Sequence, residues 1–273
     1  DIANEVSVAI DGNDIPYILY NDFSNENKAT VKRFNGVSWE TVGEEGFSKG
    51  YIIFASIKID SNNTPYVVYQ EYLSSYKVTV KKFNGASWVT VGQGAFSKSI
   101  ARSISMSIDS NNVPYVAYND SAHRGKTTVK KFDGRSWVTV GKEGFSSGTA
   151  NYISLAIDGK GNSYVSYQDY GTVSNGKVTV KKFNGDMWET IGKEGFSSSR
   201  AYYTKMIIDE NNIPYVGYRE YRASVKKYDG SSWVNASSTL PSSSGANYFS
   251  MAFDSKNSLY ITYKDRESGN KAT

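Results

Sequence analysis

The sequence predicts an all-β fold, and within that class a β-propeller of four-stranded antiparallel blades. Three observations lead to this prediction. An Ile-Asp dipeptide and a Trp recur at nearly constant spacing, strand-like segments alternate with tight turns, and no segment shows a helical hydrophobic period. We expect six blades, of which the last is incomplete. A five-bladed arrangement is the alternative.

The repeat is defined by aspartates that are spaced 49, 49, 49, 51 and 45 residues apart along the chain. Each follows Ile or Phe and precedes a Tyr-x-x-Tyr pair, and the six are Asp11, Asp60, Asp109, Asp158, Asp209 and Asp254. The copies cover approximately 1–51, 52–100, 101–149, 150–200, 201–245 and 246–273. We expect them to form a single domain over 1–273.

Each copy contains four strand signals. The first alternates apolar residues, as at 153–157, and the second starts with Pro, as at 114–118, where a missing N–H is tolerated. The third is Val-Thr-Val-Lys-Lys-Phe at 178–183, and the fourth is Ser-Trp-Val-Thr-Val at 136–140. Asn-Gly or Asp-Gly stands between strands three and four. These pairs predict a tight hairpin, because they readily adopt the positive φ angles of its turn.

The sixth copy stops at 271–273, where its Lys-Ala-Thr matches 28–30 at the start of a third strand. We align residues 1–4 with the connection before a first strand, so they would not supply the missing strands. We therefore expect the chain to be a processed piece of a longer protein. The outer edge of 259–263 would then offer unpaired N–H and C=O groups for self-association.

Aromatic residues at fixed places predict the packing between blades. A Phe follows strand four in Gly-Phe-Ser or Ala-Phe-Ser segments, at Phe47, Phe96, Phe145 and Phe196. We expect these rings, together with each Trp and the Phe before each Asn-Gly turn, to be wedged between blades. The fifth copy lacks this segment, and Leu240 is the candidate for its wedge.

Length differences between copies fall in the loop between strands two and three. Antiparallel order places this loop and the inter-blade connection at one end of the blade, and the uniform turns at the other. Loops that carry function vary more than turns that carry geometry. The variable end is therefore the predicted binding face.

Two kinds of side chain recur on this predicted face. An acid ends strand two in every copy, and aromatics follow it or begin the innermost strand in several copies. Aromatic rings stack on the apolar face of a pyranose, and carboxylates accept hydrogen bonds from its hydroxyls. The candidate ligand-binding residues are Asp22, Phe23, Glu71, Tyr72, Asp120, Asp169, Tyr170, Glu220, Tyr221, Asp265, Phe54, Tyr152, Tyr203 and Tyr248. The alternative is that the acids cap strand ends or pair with Lys, and that the aromatics pack against the next blade.

Composition excludes several other functions. Cysteine is absent and His123 is the one histidine, so thiol chemistry and multi-His metal sites are ruled out. The Asp-x-Asn-Asn turns lack the later ligands of a calcium loop, so we expect no metal and no cofactor. No apolar run is long enough for a membrane helix. We read His123 as a loop-tip residue.

The basic excess of 31 − 27 = +4 lies in Lys pairs of strand three. Consecutive strand residues point to opposite faces, so these pairs do not form one basic patch, and we expect no nucleic-acid partner. Glycosidase chemistry needs two carboxylates in different environments, whereas the acids here look equivalent. We therefore expect binding without catalysis and assign no catalytic residue.

The segment 107–116, Ser-Ile-Asp-Ser-Asn-Asn-Val-Pro-Tyr-Val, resembles the strand-turn-strand core of bacterial extracellular propeller repeats of the NHL-like and SBBP-type arrays. Tachylectin-like lectins share a Trp-bearing repeat of similar length. The resemblance implies a secreted or cell-surface module, lectin-like or adhesive, whose partner is a glycan or a surface protein. A protein-interaction scaffold and a carbohydrate-active enzyme are the alternatives.

Overall fold

The computed structural model describes residues 3–237, 246–265, 269 and 271–273, without the side chains of Ala3, Asn4 and Ala246. The chain folds as an all-β propeller of six blades, as predicted, rather than five. Five sheets have four antiparallel strands in sequence order, and the sixth has three. The described residues contain no helix that could cross a membrane.

The blades follow one another along the chain, four strands at a time. Blade one contains β1 (Ala3–Ile10), β2 (Pro16–Asp22), β3 (Lys28–Phe34) and β4 (Trp39–Thr41). Blade two contains β5 (Ile52–Ile59), β6 (Pro65–Glu71), β7 (Lys77–Phe83) and β8 (Trp88–Thr90), and blade three contains β9 (Ala101–Ile108), β10 (Pro114–Asp120), β11 (Lys126–Phe132) and β12 (Trp137–Thr139).

The second half of the chain repeats this order. Blade four contains β13 (Ala150–Ile157), β14 (Ser163–Asp169), β15 (Lys177–Phe183) and β16 (Trp188–Thr190). Blade five contains β17 (Tyr202–Ile208), β18 (Pro214–Arg219), β19 (Ala223–Tyr228) and β20 (Trp233–Asn235), and blade six contains β21 (Ala246–Phe253), β22 (Leu259–Asp265) and β23 (Lys271–Ala272). The expected start of a third strand in blade six is confirmed, because Lys271 pairs with Asp265.

Two details differ from the sequence prediction. The first strand begins at Ala3, so residues 3 and 4 belong to β1 and not to a connection; Asp1 and Ile2 lie outside the described residues. Short 3-10 helices follow strand two in the first three blades, at Phe23–Asn25, Tyr72–Ser74 and Ser121–His123. They arise because a side chain or backbone group at the strand end closes a single turn.

The repeat residues have the structural roles that their spacing predicts. In the turn of blade two, the Asp60 carboxylate accepts hydrogen bonds from the N–H groups of Asn62 (3.0 Å) and Thr64 (2.8 Å). Asn63 Oδ1 accepts a further bond from Gly12 N–H in the preceding blade, at 2.8 Å. These turns therefore join neighbouring blades at the end opposite the variable loops.

The aromatic wedge is confirmed at four of the five Trp positions, whereas Trp39 is 49% exposed. Phe47 stacks on Trp88 with ring centroids 4.6 Å apart, and the indole N–H of Trp88 donates to the Val42 carbonyl at 2.7 Å. The pairs formed by Phe96, Phe145 and Phe196 with the next Trp repeat this contact. Burying one such ring stabilises the fold by about 1.5–3 kcal/mol. Leu240 lies outside the described residues.

Contacts within the chain group into two compact units. The N-terminal unit comprises Asp1–Arg124 and Thr128–Val140, and the C-terminal unit comprises Gly125–Thr127 and Gly141–Thr273. Each unit has its own core, built around buried residues such as Tyr69 and Ile57 in the first and Tyr218 and Met206 in the second. The single domain over 1–273 stays a prediction.

Candidate functional site

The innermost strand of every blade is interrupted by a β-bulge, which the sequence analysis did not foresee. One residue in each bulge has a left-handed backbone with φ between 48° and 54°, and these residues are Glu5, Phe54, Ser103, Tyr152, Tyr203 and Tyr248. Such a conformation costs on the order of 1–3 kcal/mol for a residue other than glycine. Bulges re-aim a side chain away from the regular pleat, and they are common next to binding sites.

In the C-terminal unit the three bulge residues form a tyrosine row, defined as Tyr152, Tyr203 and Tyr248. The Tyr203 ring lies 5.2 Å from the Tyr152 centroid and 5.8 Å from the Tyr248 centroid. Tyr248 is 71% exposed, whereas the other two are partly buried. The row therefore presents aromatic surface to solvent at the variable end of three consecutive blades.

Arg219 lies against this row. Its guanidinium carbon is 4.7 Å from the Tyr202 ring centroid and 5.3 Å from that of Tyr203. Its Nη1 donates to Asn247 Oδ1 at 2.6 Å, while its Nε is buried without a partner among the described residues. A buried donor without an acceptor is uncommon in folded proteins, so the free edge of this guanidinium is a feature that needs an explanation.

The sequence analysis missed Arg219, although the repeat contains the signal. The residue before the strand-two acid is a buried neutral amide in the first four blades, at Asn21, Gln70, Asn119 and Gln168. Blades five and six replace this amide with Arg219 and Lys264. A change of charge at a constant repeat position would have identified both residues.

Lys205 lies at a second repeat position where the other blades all have the same residue. Five blades have serine there, at Ser7, Ser56, Ser105, Ser154 and Ser250. The hydroxyl of Ser154 accepts a hydrogen bond from Met206 N–H in the next blade, at 2.9 Å, and Ser7 bonds Ile57 N–H in the same way at 3.2 Å. Lys205 has no hydrogen bond or ion pair with the described residues, and desolvation by the surrounding protein lowers its pKa.

The aspartates end strand two as predicted, but the structure buries their side chains. Asp22 is 3% exposed, and its carboxylate accepts hydrogen bonds from Ser24, Asn25 and Thr30 at 2.6–2.9 Å. Burial alone would raise the pKa of Asp22, but these hydrogen bonds outweigh it and hold the pKa below its usual range. Asp120 and Asp169 are buried and bonded within their own loops in the same way. The alternative of strand-end caps therefore describes these three acids, because a saturated carboxylate has little capacity left for a ligand.

The two glutamates at this position reach further. Glu71 accepts hydrogen bonds from the N–H groups of Lys49 (2.7 Å) and Gly50 (3.2 Å) in the preceding connection. Glu220 bonds Ser198 and Ser199 in the corresponding connection at 2.8 Å. Their longer side chains link a strand end to the connection before it, and Asp265 is likewise buried. Five of the six predicted acids are buried and Glu220 is partly buried, and a ligand-binding role of these acids stays a prediction.

The aromatics that follow these acids are accessible, as expected. Phe23 is 60%, Tyr72 48%, Tyr170 40% and Tyr221 76% exposed. Tyr72 stacks on Tyr51 at 4.9 Å, so one of its faces is covered, and the Arg200 guanidinium lies 6.0 Å from the Tyr170 ring. Burial raises the pKa of Tyr152, with further contributions from Tyr203, Tyr202 and Tyr170 that outweigh the lowering effect of Arg219. Tyr170 is thus part of the surroundings of the tyrosine row.

His123 does not stand free at the loop tip. Its Nδ1 lies 2.9 Å from Asp120 Oδ2, so the ring packs on the buried acid of its own loop. The described residues contain no group of three or more His, Asp and Glu side chains that could hold a metal ion.

Comparison with known proteins agrees with this architecture. No family model matches the sequence, and a search of curated proteins finds no relative. Among solved structures, the Aleuria aurantia lectin in complex with Fucalpha1-6GlcNAc has a TM-score of 0.60 and 13% identity, over 99% of this chain and 94% of the lectin.

Two further structures are similar at the same level. An ulvan lyase, a polysaccharide lyase, has a TM-score of 0.58 and 13% identity over 93% of this chain and 78% of its own. A Dyadobacter fermentans protein of unknown function has a TM-score of 0.60 and 13% identity, over 96% and 90% of the two chains. At such identities these likenesses show a shared β-propeller fold and nothing finer.

Proposed function

We propose that this protein is a lectin-like propeller that binds a glycan through the tyrosine row. The carrying observation is that Tyr152, Tyr203 and Tyr248 occupy strained left-handed positions beside one another. The bulge itself does not require an aromatic residue, because Ser103 and Glu5 adopt the same backbone. Three adjacent tyrosines at a costly conformation are better explained by a ligand that stacks on them.

Binding without catalysis is the favoured form of this function. Glycosidases use two accessible carboxylates, one of which keeps a proton at neutral pH. Glu220, next to Arg219 in the chain, and Asp169, next to Tyr170, are held by serine and backbone donors of neighbouring segments. The likeness to a lectin and a polysaccharide lyase supports a glycan as the ligand class, and an adhesive role at the cell surface remains part of the proposal.

A glycan array probed with the full chain tests this function, followed by calorimetric titration of the best ligand. Tyr248→Ala should weaken binding by about tenfold, which corresponds to about 1.4 kcal/mol of lost stacking. Tyr260→Ala is the matched control, because Tyr260 is 59% exposed at the opposite end of the same blade.

Three results decide between the candidates. Binding that is lost in Tyr248→Ala and kept in Tyr260→Ala supports the tyrosine row. No signal on any glycan would instead favour a protein-interaction scaffold on the same face. Equal affinities of the two variants would place the glycan elsewhere on the molecule.

A further inference from the structure

We infer that the tyrosine row is the aromatic half of a site for an anionic saccharide, whose charged group binds Arg219, Lys205 and Lys264. The inference rests on the proposed function and narrows its ligand class. The anion would be a carboxylate or a sulfate ester carried on the sugar, since both present oxygens that match cationic donors.

The first support is the position of the cations in the repeat. Arg219 and Lys264 replace buried amides, and Lys205 replaces a serine that elsewhere bonds the next blade. All three changes fall in blades five and six, within the unit that holds the tyrosine row. Four of the six blades have a neutral amide at the position of Arg219 and Lys264, so a blade forms without a positive charge there.

The second support is the geometry of Arg219. Asn247 fixes one terminal nitrogen at 2.6 Å, and the rings of Tyr202 and Tyr203 pack against the guanidinium. The group is thus held in one orientation with the Nε edge unpartnered among the described residues. A held, planar guanidinium is suited to an oxyanion at its terminal nitrogens, because little side-chain entropy is lost on binding.

Lys264 adds charge at the same place. It lies directly opposite Asn247 in the ladder between β21 and β22, and directly opposite residues on one face have Cβ atoms about 4.5–5.5 Å apart. Asn247 therefore has Arg219 on one side and Lys264 on the other. Both cations are partly buried, and Asn247 between them directly precedes the exposed Tyr248 in β21.

The third support is the missing counter-charge. Lys205 is partly buried, and no described residue pairs with its ammonium group. The neighbouring acid Glu220 lies just after the end of β18, and its carboxylate is held by Ser198 and Ser199. An unpaired cation away from water is unfavourable in the free protein. A ligand anion would supply the missing partner.

The test compares three oligosaccharides of equal length by calorimetric titration: an oligogalacturonate, a sulfated galactan fragment and a neutral galactan fragment. The protein variants restore the neutral residue of the repeat, as Lys205→Ser and Arg219→Gln. Each should weaken binding of the preferred anionic ligand by at least about tenfold. Whichever anionic ligand binds more tightly identifies the charged group.

Lys160→Ser is the control for net charge. It removes the same charge from an exposed turn at the other end of blade four in the same unit. The control should stay within about twofold of the parent chain, because exposed charges are screened by salt. Equal losses in Lys160→Ser and Lys205→Ser would reduce the effect to long-range attraction and overturn the inference.

Folding is monitored by thermal melting. Lys205→Ser should melt at or above the parent temperature, since it removes an unpaired charge, so lost binding cannot be assigned to misfolding. Neutral galactan binding as tightly as the anionic ligands would overturn the charged site, while a loss in Tyr248→Ala would keep the proposed function. If none of the three saccharides binds, the charged site fails, and the array then decides separately on glycan binding.

Discussion

The two units have the same blade architecture but differ in the side chains that it presents. The bulge positions are Glu5, Phe54 and Ser103 in the N-terminal unit, whereas all three are tyrosine in the C-terminal unit, with φ angles that agree within a few degrees. The backbone of the repeat is thus conserved within the chain while its exposed residues diverge. Function in such a protein depends on which residues are placed on a common frame.

The charged positions show the same contrast. Before the strand-two acid, the N-terminal unit has Asn21, Gln70 and Asn119, and the C-terminal unit has Gln168, Arg219 and Lys264. The buried amide is bonded only in part: Asn21 donates to the Ile52 carbonyl of the next blade at 2.8 Å, while its Oδ1 has no partner among the described residues. A cation at this position leaves donors for something else. Comparing equivalent positions therefore separates what the blade needs from what a ligand needs.

The largest expected effect concerns a core position that holds valine in blade two and glycine in blade five. Val68 lies in the N-terminal core, and Gly217 is its counterpart in blade five. A Cβ at Gly217 would lie 2.1 Å from Phe249 and 2.6 Å from the Met251 sulfur. Gly217→Val should therefore destabilise the protein by about 3 kcal/mol through overpacking, measured by urea denaturation. Adding Phe249→Ala should recover part of this loss, and strictly additive effects would contradict the packing account.

The next effect compares the acids of the two units. Asp22→Asn should cost about 2 kcal/mol, because it disturbs a buried carboxylate with several donors, whereas Glu220→Gln should cost less at its partly buried position. The lowered pKa of Asp22 also gives the direction in which the folding stability changes with pH. Its contribution is fully present above the unfolded value and is lost below about pH 4 as the folded pKa is crossed. Acid titration of stability should show a loss in the parent that Asp22→Asn lacks.

A third effect compares aromatic residues at equivalent bulges. Tyr203→Ala should reduce glycan affinity about tenfold, since Tyr203 contacts both other members of the row and Arg219. Phe54→Ala, at the same backbone position in the N-terminal unit, should leave affinity within about twofold. Calorimetric titration of the same ligand measures both. If Phe54→Ala proves equally damaging, the binding face extends over both units, as the sequence alone predicted.

A fourth, smaller effect concerns the unpaired charge of Lys205, which is removed in one variant and introduced at the equivalent position of blade two in another. Lys205→Met should stabilise the protein by about 1 kcal/mol at neutral pH, and Ser56→Lys should destabilise it by a similar amount. Because desolvation lowers the pKa of Lys205, its cost is fully present below the folded pKa and disappears as pH rises towards the unfolded value. The difference between Lys205→Met and the parent should therefore shrink as pH rises towards the unfolded lysine value of about 10.4. A difference that is constant across this range would indicate a packing effect.

The smallest effect tests the bulge strain itself. Glu5 is exposed and has φ of 53°, so Glu5→Gly should raise the melting temperature slightly, by the equivalent of about 0.5 kcal/mol. Tyr203→Gly would relieve the same backbone strain but would lose the ring contacts with Tyr152 and Tyr248. A loss of stability in Glu5→Gly would show that its side chain is needed in β1.

Much of the fold follows from short-range patterns in the sequence. Asp60 is followed by Asn and Thr whose N–H groups it binds, and Asn84-Gly85 supplies the positive φ of its hairpin, so both turns are encoded within a few residues. Phe47 recurs in the first four repeats and Trp88 in the first five, and rings that recur at successive junctions are typical of packing residues. Regular spacing reports on these features because their partners lie at a constant distance along the chain.

The candidate site depended instead on the tertiary structure. Ser24, Asn25 and Thr30 lie within eight residues of Asp22, but only the structure shows that together they enclose its carboxylate and remove it from solvent. The left-handed bulge at Tyr203 runs against the preferences of a bulky residue, so no local rule predicts it. Arg219 and Asn247 are 28 residues apart and meet only because blades five and six pack side by side. The sequence by itself determined the blade, since its turns and wedges repeat, and packing between blades decided which side chains remain available to a ligand.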